Sequence, residues 1–98
     1  MTIPEYLNLC NHNLDDNHDN YIKNLILNHN GNLIVLGLCE NDIRTKVVDV
    51  LIDVIEHPGC KHLQYITLIK TSLNASDKER LGKACKKHKI WIAFKKDW

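Results

Sequence analysis

The sequence predicts an α/β fold: about three strand-helix units and a final strand, stacked as a short solenoid with one parallel sheet on its concave face. Three observations predict it. The first is an internal repeat, in which Leu7-Asn-Leu9-Cys-Asn-His-Asn-Leu14 aligns with Leu36-Gly-Leu38-Cys-Glu-Asn-Asp-Ile43 and Ile66-Thr-Leu68-Ile-Lys-Thr-Ser-Leu73 at offsets of 29 and 30 residues. The second is a change of period after each window. Alternating apolar residues give way to apolar residues every three or four positions, the spacing that lays one stripe along a helix. The third is the placement of capping and breaking residues where those helices should begin and end.

Each element follows in order. The first strand has Leu7 and Leu9 as core positions, and its helix carries Ile22, Leu25 and Ile26, opened by Asp15 or Asp16 and closed at Gly31. The second strand turns Leu36 and Leu38 inward. Its helix carries Val47, Val48, Leu51, Val54 and Ile55, with Thr45 as cap and Pro58-Gly59 as stop. The third strand turns Ile66 and Leu68 inward, and its helix carries Leu81, Ala84 and Cys85 behind the capping box Ser76-x-x-Glu79. Ile90-Trp-Ile92-Ala-Phe94 reads as a last strand with Ile90 and Ile92 in the core. Strands joined by crossover helices run parallel, and each unit buries its stripe only against the next. At 98 residues the chain is one domain, spanning 1–98, and polar residues 15–20, the Lys-rich third helix and Trp98 are placed to cover its ends.

Residues between the core positions point to the opposite face. The expected columns there are Tyr6, Val35, Tyr65 and Lys89; then Asn8, Gly37, Thr67 and Trp91; then Cys10, Cys39, Ile69 and Ala93, with Glu40 and Lys70 at the rim. No helix covers this face. Tyr and Trp are enriched at binding hot spots, so Tyr6, Asn8, Val35, Cys39, Glu40, Tyr65, Thr67, Ile69, Lys70, Lys89 and Trp91 are the candidate partner-binding residues. The competing reading is that the rings only pack across strands and stabilise the sheet.

The pattern Leu33-x-x-Leu36-x-Leu38-x-x-Asn41-x-Ile43, followed by Val47, Leu51 and Ile55, resembles the leucine-rich repeat of the ribonuclease-inhibitor type. Leu63-x-x-Ile66-x-Leu68-x-x-Thr71-x-Leu73 is similar, with Thr in place of the family's Asn or Cys. The first unit departs further, with Pro4 at the opening Leu position and His12 at the Asn position. The resemblance implies a leucine-rich repeat solenoid that binds a protein partner through its concave sheet, without a cofactor and without catalysis. Within such a family, some members inhibit an enzyme by covering its active-site region. Proteins of this look also occur among effectors that intracellular bacterial pathogens deliver into the host cytosol, some of which restrain a companion effector.

Charge supplies an alternative. The net charge of +1 gives no general case for nucleic acid, but residues 1–75 carry net −4 and residues 76–98 net +5. Lys83, Lys86, Lys87, Lys89, Lys95 and Lys96, interleaved with Trp91, Phe94 and Trp98, form a basic and aromatic end of the kind that binds nucleic acid or anionic lipid. Lys in a last helical turn is also favoured by the helix dipole alone.

Other classes find little support. No run of apolar residues is long enough to cross a bilayer, and the MTIPEYLNLC start lacks a secretory leader's pattern, so a cytoplasmic location is expected. Cys10, Cys39, Cys60 and Cys85 are expected as reduced thiols. His57-x-x-Cys60-x-His62 and Cys10-x-His12 lack the spacing of zinc sites, so no metal is expected. No phosphate-cradling Gly loop or paired carboxylates are apparent, and a Cys nucleophile would lack a cleft, so no catalytic residues are assigned.

Overall fold

The computed structural model describes residues 5–29, 32–57 and 62–95. In chain order these form β1 (Glu5–Asn8), a 3-10 turn (Asp16–His18), α1 (Asp19–Leu27), β2 (Leu33–Gly37), α2 (Thr45–Glu56), β3 (Tyr65–Thr67), α3 (Ala75–Lys87) and β4 (Trp91–Ala93). The strands make one sheet in the order β1-β2-β3-β4, and every pair is parallel. The α/β class and the strand-helix alternation therefore agree with the sequence pattern. The radius of gyration, 12.3 Å, is that of a compact chain of this length.

Burial follows the helical stripes. Ile22 and Ile26 of α1, Val47, Val48, Leu51, Val54 and Ile55 of α2, and Leu81, Ala84 and Cys85 of α3 are buried, together with Leu36, Leu38, Ile66 and Leu68 from the strand segments. Leu25 and Leu7 are half-buried and pack against this core. Leu7 was expected inside. It belongs to β1, which pairs on one side only, so its outer flank has no neighbouring strand to cover it.

The repeat is visible in the backbone as well. Asn11, Glu40 and Lys70, one after each of the first three strands, all adopt left-handed φ values of 55°, 60° and 58°. Successive units are stitched by the same kind of bond: Leu9 N–H donates to Gly37 O at 2.8 Å, Leu38 N–H to Thr67 O at 2.9 Å and Leu68 N–H to Ala93 O at 2.8 Å.

Asn41 holds the first two units together. Its Oδ1 accepts from the N–H groups of His12 and Leu14 at 3.1 and 3.0 Å, and its Nδ2 donates to the carbonyls of Leu9, Leu38 and Cys39 at 2.9–3.2 Å. One buried amide thus satisfies turn backbone of both its own unit and the unit before it, so the first turn is served although its own equivalent position is His12. Among the described residues, the Thr71 side chain makes a single bond, from its hydroxyl to Leu68 O at 2.9 Å.

The helix caps differ from the sequence expectation. Asp15 caps the 3-10 turn, accepting from Asn17 N–H at 2.9 Å, and α1 begins only at Asp19. Asp16 instead caps the next unit's helix, its two oxygens accepting from Arg44 N–H at 2.8 Å and Lys46 N–H at 2.9 Å. Thr45 lies inside α2, where its hydroxyl donates to Asp77 Oδ2 at 3.0 Å. The cap of α3 is Asn74, which accepts from Asp77 N–H at 2.8 Å, rather than Ser76 with Glu79. A local pattern registers only partners nearby in sequence, whereas Asp16 reaches its helix across a unit boundary. The expected stops at Gly31 and Pro58-Gly59, and the covering role of Trp98, lie outside the described residues.

Candidate functional site

Strand alternation builds the face opposite the helices. Leu36 and Ile66 are buried beneath the sheet, and their strand neighbours point the other way. Strand pairing aligns Tyr6, Val35, Tyr65 and Trp91 in one row, and Asn8, Gly37, Thr67 and Ala93 in the next. Tyr6 is 57% exposed and Trp91 76% exposed, while Val35, Tyr65 and Thr67 are half-buried. The first three members of both rows stand where the sequence places them.

The fourth strand corrects the expectation by two residues. Trp91 stands beside Tyr65 rather than Thr67, and Ala93 beside Thr67 rather than Ile69. Ile92, not Ile90, takes the position beside Ile66. Lys89 leaves the face altogether. It ends α3 with φ of 59°, where Ile90 N–H donates back to Cys85 O at 2.8 Å and His88 N–H to Ala84 O at 3.2 Å. This left-handed helix ending brings the chain into β4 sooner than the earlier units do, so the interval from Ile66 to Ile92 is shorter than the repeat of 29 or 30 residues. The correction gathers the aromatic side chains, because Tyr65 and Trp91 become direct neighbours.

Gly37 gives this face its floor. A β-carbon placed there would come within 3.1 Å of Cys10 Sγ, 3.2 Å of the Tyr6 hydroxyl and 3.3 Å of Asn8 Oδ1. A larger residue there would require Cys10, Tyr6 and Asn8 to shift by a few tenths of an ångström, so glycine lets Tyr6 lie close over β2. At the end of the strands, Cys10 Sγ accepts from Cys39 N–H at 3.1 Å and Cys39 Sγ from Ile69 N–H at 3.3 Å. Glu40 and Lys70 meet as an exposed pair at 3.9 Å, so the two rim residues are neighbours. Their exposure makes the pair worth little to stability.

At the β4 end the surface opens into a hollow of about 540 Å³ lined by Tyr65, Trp91, Ile92, Phe94, Lys78 and Lys95. The Lys78 ammonium sits 5.9 Å from the centre of the Phe94 ring, within cation–π range. Phe94 and Lys78 are absent from the face residues derived from sequence: Phe94 is named there only as part of the basic, aromatic C-terminal end, and Lys78 is not singled out. The signal for Lys78 in the sequence was its proximity to that region.

Cys10, Cys39 and Cys85 carry no disulfide. Burial pushes the Cys85 thiol up to about 11, and burial is also the main cause that raises the Cys10 thiol. Both are protonated at neutral pH, a poor setting for a nucleophile. Among the described residues no three His, Cys, Asp or Glu side chains converge as a metal site. The His57/Cys60/His62 cluster lies partly outside them, since Cys60 is not described. No helix among the described residues is long and apolar enough to cross a membrane. Comparison with protein-family models, curated proteins and solved structures gave no match.

Proposed function

We propose that this chain is a protein-binding module of the leucine-rich repeat type, using the sheet face opposite its helices as a concave docking surface. The observation that carries the reading is the row Tyr6, Val35, Tyr65 and Trp91, which leaves Tyr6 and Trp91 among the few large apolar side chains exposed to solvent. Aromatic anchors on a rigid sheet contribute to a partner's affinity with little loss of side-chain entropy. Asn8, Cys39, Glu40, Thr67, Ile69 and Lys70 surround the row as polar or half-buried contacts. Lys89 takes no part. The repeat at 29 and 30 residues and the Asn41 network support the leucine-rich repeat reading.

In this proposal the partner is a folded protein, and binding acts by occupying its surface. Where that partner is an enzyme, covering the active-site region would inhibit it. The test is capture of partners from the native cell with the wild-type chain and with the Tyr65→Ala, Trp91→Ala double substitution. Loss of the captured protein, with the thermal transition retained, is the expected result; undiminished capture would refute the face assignment.

A second reading rests on a separate observation. Lys78, Lys86, Lys89 and Lys95 have no ion-pair partner among the described residues, which leaves a positive cluster at the β4 end. Binding of single-stranded nucleic acid or anionic vesicles there would weaken steeply with salt.

A further inference from the structure

β4 ends the sheet with an unfinished series of backbone bonds. Leu9, Leu38 and Leu68 each donate an N–H to the carbonyl of the next strand, at Gly37, Thr67 and Ala93. The strand pairing puts Phe94 at the equivalent level of β4, one residue past Ala93. Its N–H has no acceptor among the described residues. Alternation adds two further open groups. Trp91 donates to Gln64 O and Ala93 O accepts from Leu68, so both face β3 and the N–H and C=O of Ile92 face outward. An exposed strand edge of this kind is a template for another extended chain.

The surroundings of that edge define what fits. The hollow of about 540 Å³ wraps it from both sides of the sheet, with Trp91 and Tyr65 from one face and Ile92, Phe94 and Lys78 from the other. An incoming strand alternates its side chains between the same two faces, so each flank has apolar wall for a bulky residue. The charge is of one sign. Among the described residues, Lys78, Lys89 and Lys95 border or precede β4 without a carboxylate partner, whereas Lys70, Lys83 and Lys87 each have one.

We propose that the free edge of β4 binds an acidic, extended segment of a protein partner as a fifth strand. Backbone bonds to Ile92 and Phe94 supply affinity without regard to sequence, while the hollow and the lysines select bulky apolar side chains alternating with Asp or Glu. The inference rests on the protein-binding reading and assigns one part of the partner to one edge. A nucleic-acid strand would use the lysines and rings but has no peptide backbone to answer Ile92 and Phe94, which favours a peptide.

The experiment selects binders to the immobilised full chain from a displayed library of random peptides, then maps the enriched peptides by amide hydrogen exchange. Enrichment of acidic, alternating sequences is expected, with exchange slowed at Ile92 and Phe94. Lys78→Glu with Lys95→Glu should weaken those peptides by about tenfold or more; neither side chain has an ion-pair partner among the described residues, and a retained thermal transition checks that the variant stays folded without the Lys78–Phe94 contact. A Lys23→Glu control, a charge reversal of the same kind on α1, should bind the peptides unchanged. Enriched peptides without acidic residues, or protection elsewhere, would overturn the proposal. So would an oligothymidylate that binds the same lysines while no peptide is enriched, or self-association of the chain that protects Ile92 and Phe94 without peptide. Failure at the edge with partner capture still lost in Tyr65→Ala, Trp91→Ala would leave the face reading standing, so the two ideas fail separately.

Discussion

The unit formed by β2 and α2 and the end formed by β4 contain similar residue types and use them in opposite ways. In the former, Leu33, Leu36, Leu38, Ile43, Val47, Val48 and Leu51 are buried to within 2%. Asn41 there spends its amide on backbone groups of two units. In the latter, a strand of three residues carries an exposed Trp91, a half-buried Ile92 and an adjoining half-buried Phe94. A unit with neighbours on both sides spends its apolar surface on folding. A unit with one neighbour keeps some of it accessible, and that surplus is where binding can be built.

Five outcomes would break or sharpen this contrast. The largest effect belongs to the interior: Asn41→Ala should lower unfolding free energy by about 3 kcal/mol or more, because buried backbone groups of two units lose their partner. Urea denaturation measures this, and a loss under about 1 kcal/mol would mean that the network is not essential. Asp16→Ala should cost roughly 1–2 kcal/mol by uncapping α2 across the unit boundary, and more than Asp15→Ala, which touches only the 3-10 turn. Equal losses in the two would contradict the inter-unit cap.

Glu40→Gly should stabilise by about 1 kcal/mol, since it relieves a left-handed backbone at the cost of a weak exposed ion pair. A lower melting temperature would show that the Glu40–Lys70 pair matters more than its exposure suggests. At the β4 end, Trp91→Ala should change stability by less than about 0.5 kcal/mol. A larger loss would place the indole in the folding core and remove the basis for a binding role.

The smallest effect is on pH dependence. Hydrogen bonding from Ser72, aided by Arg44, holds the Asp42 carboxyl below its ordinary value of 3.8. The folded pKa is depressed, so this contribution is present above about 3.8 and is lost as pH falls from there through the lowered value. Ser72→Ala should bring the Asp42 carbon resonance midpoint, followed by NMR, back up toward the ordinary value. An unchanged midpoint would show that the Ser72 hydroxyl does not hold the carboxylate.

Much of the fold was legible. The windows opening on Leu7, Leu36 and Ile66 gave three parallel strands, and the stripes Val47–Ile55 and Leu81–Cys85 gave helices whose buried sides match. These succeed because periodicity is a local property that burial reads directly. The site was legible only where strand spacing is regular, from Tyr6 through Val35 to Tyr65. Trp91 landed one row off because the left-handed turn at Lys89 shortens the last interval, and no residue there announces it, Lys being an uncommon choice for that conformation.

By itself the sequence determined the α/β class, the alternation of strand and helix, most of the residues that enter the core and that the rows opposite the helices hold Tyr and Trp. Only the tertiary structure decided that Asp16 and Asn41 serve groups outside their own units, that Trp91 stands against Tyr65, and that Ile92 and Phe94 line a hollow together with Lys78 and Lys95. The reason is one of range. Apolar period acts over one helix turn or two strand residues, whereas a hydrogen bond across a unit boundary depends on where two distant segments are brought by packing.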